Sequence, residues 1–92
     1  MGAQFDCRRY YITDKQDVRK LWVQSLEQDL YDNGHSYSGT IGMLGPDVEW
    51  RTEKFELPED ARTFIENNHE KWEPPMAVAW GNGWMIGGWC SS

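Results

Sequence analysis

Between Val18 and Leu30 the apolar residues recur at helical spacing. Val18, Leu21, Trp22, Leu26 and Leu30 share one face with Ser25 and Asp29, which predicts an amphipathic helix over residues 14–32. Thr13, with Gln16 three residues on, forms a capping box at its start, and Asn33-Gly34 supplies a left-handed stop. Ahead of it, FDCRRYYI (5–12) ends in aromatic and β-branched residues and reads as a strand. From Val48 the period changes to two: Val48, Trp50 and Thr52 alternate with Glu49, Arg51 and Glu53, as in a half-buried strand. Pro58 suits the first turn of a second helix, and Glu59 and Asp60 complement its dipole. Ala61, Phe64, Ile65, Asn68 and Trp72 make its inner face, Lys71-Trp72 its end, and Pro74-Pro75 stops it. MAVAW and WMIGGWC flank Gly81-Asn82-Gly83 as the arms of a β-hairpin, with Met76, Val78 and Trp80 on one face.

The segment DNGHSYSGTIGMLGP (32–46) fits neither period cleanly. As a strand it sets Tyr37, Gly39, Ile41 and Met43 against Ser36, Ser38, Thr40, Gly42 and Leu44, and it would pair as a hairpin with the strand that follows. Glycine inside a strand marks a bulge or a close approach. Three readings compete: glycines that relieve crowding by Trp50, Trp80 or Trp84, a polar surface that binds a partner or ligand, and a catalytic site. The expected order is β-α-β-β-α-β-β in a single domain, 1–92. This is an α+β fold with two helices packed on one face of an antiparallel or mixed sheet.

Six tryptophans, four tyrosines and three phenylalanines help so short a chain to form a core. The net charge of -6 disfavours direct binding to nucleic acid and suits docking on a basic surface, although solubility alone also accounts for it. Cys7 and Cys90 stand in no metal or redox spacing, which reads as two reduced thiols, with a bridge between them the alternative. No apolar run approaches the roughly 20 residues of a membrane span. A cytoplasmic monomer or small homo-oligomer without a cofactor is expected.

Candidate chemistry is sparse. His35 and Ser36 are neighbours that point to opposite sides of an extended chain, and no G-x-S-x-G elbow is present. Cys7, His35, His69 and Cys90 lack the closely spaced pairs of a zinc site, and His69 reads as an exposed helical residue. Lys71 complements a helix C-terminus, and core packing suffices for Trp72. Trp84 and Trp89 have opposite parity, so one of them should be exposed or lie against a partner.

The run Gly34 to Gly42, GHSYSGTIG, followed by His69-Glu70-Lys71-Trp72, resembles small proteins of bacteriophages and other mobile elements that carry a "YSGTI" segment and a later helix ending in Lys-Trp. That resemblance implies an anti-defence factor, such as an anti-CRISPR protein, acting in the host cytoplasm. The expectation is then a noncatalytic inhibitor of a host protein or nucleoprotein complex. It would occlude a basic, nucleic-acid-binding surface with acidic residues such as Asp29, Asp32, Asp47, Glu49, Glu66 and Glu70. Its partner-binding residues would be His35, Ser36, Tyr37, Ser38, Thr40, Asp47, Glu49 and Trp84. The alternative is a protein that sequesters a small ligand or nucleotide signal through Ser38, Gly39, Thr40, Arg51 and Lys71.

Overall fold

The computed structural model describes residues 3–33 and 40–91. Strand β1 (Ala3–Tyr10) leads to helix α1 (Lys15–Asn33), then a 3-10 turn (Ile41–Met43) and strand β2 (Glu49–Phe55). Helix α2 (Pro58–Asn68) and strands β3 (Met76–Trp80) and β4 (Gly83–Ser91) complete the chain. The four strands form one mixed sheet in the order β1-β4-β3-β2. β4 is antiparallel to both neighbours and β2 is parallel to β3, with α2 as the crossover. The α+β class and the expected succession of elements hold, with the 3-10 turn standing where an extra strand was expected.

Two features of the arrangement differ from expectation for physical reasons. The segment after residue 39 does not pair with β2, whose neighbour is β3. The two helices also take one face of the sheet each. Val18, Trp22 and Leu26 of α1 pack with Tyr10, Ile41, Ala77, Trp84 and Ile86. On the other side Ala61 and Ile65 of α2 pack with Met76, Val78, Trp80 and Met85. Both parities of β3 and β4 are apolar, and a strand of that kind is stable only when covered twice.

Helix α1 begins one residue later than the capping box suggests. Asp14 is its cap, its carboxylate accepting the Asp17 N–H at 3.1 Å. Thr13 serves differently: its carbonyl accepts the indole N–H of Trp84 at 2.9 Å. Trp22 and Trp89 are pinned in the same manner, to the carbonyls of Gly45 (3.1 Å) and Glu66 (2.9 Å). Each of these indoles therefore anchors a neighbouring segment as well as filling core. Among the described residues, no helix is long and apolar enough to cross a membrane.

Both cysteines are free thiols. Cys90 pairs in register next to Gln4, whereas Cys7 faces Gly87 and packs on the α2 side. Burial, reinforced by the charges of Asp6 and Asp29, pushes the Cys90 thiol up to about 12 from its ordinary 9.0. Burial also raises Cys7 and Tyr10, against the opposing effects of Arg62 and of the Ser25 hydroxyl. A raised folded-state value means that the neutral form is favoured in the fold. Its stabilising contribution is complete below the unfolded value and is lost as pH rises toward the folded one. The expected outcome is a falling urea midpoint between pH 9 and pH 12. Cys90→Ala should flatten that decline, and an unchanged slope would remove Cys90 from this account.

Candidate functional site

Helix α2 stops at Asn68, short of Lys71-Trp72, because His69 leaves the helix with extended backbone (φ -99°, ψ 141°). His69 is 3 % exposed, not on the surface as its place in the sequence suggests. Its Nδ1 accepts the backbone N–H of Trp89 at 2.9 Å, so the hydrogen sits on Nε2, which donates to the Pro74 carbonyl at 2.9 Å. Continuing the β3–β4 register beyond Met76↔Gly87 would place Pro74 opposite Trp89. The imidazole is thus inserted between two strands that have just separated, and it replaces a missing rung of the ladder. Gly88 lies flat beneath the ring, where a Cβ would collide with it.

That wedge fixes the base of a tight turn over residues 70–73. The Glu73 N–H donates to the Glu70 carbonyl at 3.1 Å, and the Glu70 N–H donates to Glu73 Oε1 at 2.7 Å. Trp72 occupies the third position of this turn with φ +76°, where glycine or asparagine is the usual residue. Its side chain is 73 % exposed, and the Lys71 ammonium lies 5.2 Å from its ring centroid. A β-carbon in the left-handed region costs about 1–2 kcal/mol, and an exposed indole recovers little of that by burial. Such a residue is a candidate for function rather than for stability.

Beside Trp72 runs a cleft of about 250 Å³ between this turn and residues 43–47. Met43, Leu44, Pro46, Pro74, Trp72 and the half-buried Trp89 give it an apolar lining, and Asp47 and Glu73 are its charged members. The Trp89 ring is held from behind by Phe5, edge to face at 5.5 Å, and by its bond to Glu66.

The 3-10 turn that leads into residues 43–47 is held by two carboxylates. Asp29, 5 % exposed, accepts the Thr40 hydroxyl at 2.6 Å and the Gly42 N–H at 2.8 Å through Oδ2. Asp6 accepts the Ile41 N–H at 2.9 Å and the Arg8 guanidinium at 2.9 Å. The donor groups at the start of the 3-10 turn, which have no partner within so short a helix, are taken up by these side chains. The turn then buries Ile41 completely in the α1 core.

The residues singled out from sequence are distributed as follows. His35, Ser36, Tyr37, Ser38 and Gly39 lie outside the described residues. Thr40 is half-buried and bound to Asp29. Asp47 is exposed on the cleft. Glu49 is exposed and shares Arg51 with Glu53, each at 3.0 Å. Hydrogen bonds from Arg51 hold the Glu53 carboxyl below its usual value. Trp84 is 7 % exposed in the α1 core, in edge-to-face contact with Trp50 at 5.0 Å. Trp84 and Trp89 do face opposite sides, but neither is the exposed tryptophan; Trp72 is. Of the acidic set, Asp29 is turned inward, Glu66 is half-buried, and Asp32, Asp47 and Glu70 are exposed.

Thr40, Arg51 and Lys71 do not converge. Thr40 leads into the 3-10 turn on the α1 side, Arg51 lies over Phe64 on the α2 side, and Lys71 lies over Trp72. No cluster of three potential metal ligands occurs among the described residues. No protein-family model, no curated protein and no solved structure matches the chain.

Proposed function

We propose that this chain is a noncatalytic interaction module that docks on a basic surface of a partner protein through the Trp72 turn and the acidic cleft beside it. The observation that carries this reading is Trp72 itself, displayed at φ +76° with 73 % of its surface open. Exposed tryptophans dominate binding energetics when a partner desolvates them. Around it the protein carries net charge -6, and the cleft's own charges are both carboxylates, so a cationic surface is the complementary one. Covering a basic surface competes with nucleic acid for it. That is the mode of action expected from the resemblance to phage-type inhibitors of host defence complexes.

The test is Trp72→Gly, because glycine is the residue that this turn position ordinarily takes. The variant should be as stable as the parent or more stable by about 1 kcal/mol in urea unfolding. Its affinity for the host complex captured by the parent protein should fall at least about 30-fold, the size of a hot-spot loss. Capture should also weaken steeply in 0.5 M salt for the parent, as rim charges are screened. Equal capture by Trp72→Gly would overturn the proposal, and so would salt-insensitive binding for its electrostatic part.

A further inference from the structure

We infer that the cleft beside Trp72 is a slot for an arginine side chain of the partner, stacked on the indole and paired with Asp47 and Glu73. The inference rests on the interaction reading above and gives it a specific chemistry. Two observations carry it. The first is charge complementarity: two tryptophans, Trp72 and Trp89, line the slot, and its ionised members, Asp47 and Glu73, are both anionic. Asp47 and Glu73 are both exposed, and Glu73 uses only Oε1 on the Glu70 N–H.

The second observation is that this protein already builds the same unit from its own residues. On β2 the Arg51 guanidinium lies 5.6 Å from the Phe64 ring centroid while Glu49 and Glu53 hold its two ends at 3.0 Å each. Arg62 likewise lies 5.0 Å from the ring of Phe5. The cleft offers an aromatic face and two carboxylates in the same proportion, with the guanidinium to be supplied from outside. Arginine fits better than lysine because its plane stacks on an indole and its fork reaches two carboxylates at once, and because it is the more weakly hydrated cation. Lys71 takes up one face of Trp72 at 5.2 Å, which demonstrates that the ring accepts a cation.

The probe is acetyl-Leu-Arg-Leu-amide, with glutamine and lysine counterparts, titrated into the isotopically labelled full chain while the indole N–H resonances are followed. The arginine peptide should move the Trp72 and Trp89 signals with a dissociation constant about ten-fold lower than that of the glutamine peptide. The lysine peptide should fall between them. An Asp47→Asn, Glu73→Gln double variant, in which the amide oxygen at position 73 can still accept the Glu70 N–H, should lose the preference for arginine. Equal binding of arginine and glutamine peptides would overturn the inference. So would shifts confined to Trp22, Trp50, Trp80 or Trp84, or no shift with peptide at about 10 mM, well above a millimolar dissociation constant. The two readings separate on the captured host complex. If the double variant holds that complex as the parent does while Trp72→Gly releases it, the arginine slot fails and the interaction reading stands.

Discussion

Trp84→Ala should destabilise the protein by about 3–5 kcal/mol, the cost of deleting a large buried aromatic. For a domain of this size, with a urea dependence of about 1–1.5 kcal/mol per molar, the midpoint should fall by roughly 2–5 M. The side chain is 7 % exposed, stacks edge to face on Trp50, and donates its N–H to the Thr13 carbonyl, which ties the β1–α1 connection to β4. Truncation opens a cavity among Tyr10, Trp22, Ala77 and Ile86 and leaves that carbonyl without its donor. Trp84→Phe, which keeps a ring but not the N–H, should cost less, about 1–3 kcal/mol. A partner-contacting Trp84 would behave in the opposite way, with stability held and binding lost. An unchanged urea midpoint for the alanine variant would therefore return Trp84 to the surface.

The contrast between Trp84 and Trp72 shows which parts of this molecule can be read from its sequence. Parity along β4 correctly sends Trp84 and Trp89 to opposite faces, but parity does not say whether a face is covered. The cover is announced elsewhere, in MAVAW, where both parities of β3 are apolar and neither could meet water. That pattern calls for a helix on each side, and α1 and α2 supply them. Local signals of period and turn chemistry place α1, α2 and the β3–β4 hairpin. The inner face of α1 is legible down to its polar members, Leu30 at 41 % exposure excepted: Ser25 meets the Tyr10 hydroxyl at 2.8 Å, and Asp29 meets the 3-10 turn.

The Trp72 turn is not legible in this way because its cause is not local. Helical spacing extends without interruption from Ala61 through Ile65 and Asn68 to Trp72, and it predicts a buried tryptophan. What breaks the helix is His69, drawn out of it by two backbone groups of β4 and the preceding loop, Trp89 N–H and Pro74 C=O. Once the imidazole fills that gap, the next three residues must reverse direction over Gly88, and Trp72 is left on the outside at a positive φ. One signal was available: Gly87-Gly88 inside an otherwise bulky strand marks a close approach, and the approaching groups are β1 backbone at Gly87 and the His69 ring at Gly88.

The glycine of the 3-10 turn has a similar origin, and it leads to the second large effect. Gly42 is not in the left-handed region; its requirement is one of space, since a Cβ would stand 2.7 Å from Asp29 Oδ2 and 3.0 Å from Leu30 Cδ2. Asp29 must come that close to accept both the Gly42 N–H and the Thr40 hydroxyl from a nearly buried position. Asp29→Ala should therefore cost about 2–4 kcal/mol, the loss of charge-assisted hydrogen bonds in a buried setting. Gly42→Ala should cost about 1–3 kcal/mol by pushing the carboxylate off its donors. The two costs share a cause and must not add. With Asp29 already truncated, the new methyl group enters the space its carboxylate held, so the double variant should be about as stable as Asp29→Ala alone. A coupling of at least about 1 kcal/mol in the double-mutant cycle is the expected result. Additivity within about 0.5 kcal/mol would mean that the glycine serves something other than this carboxylate.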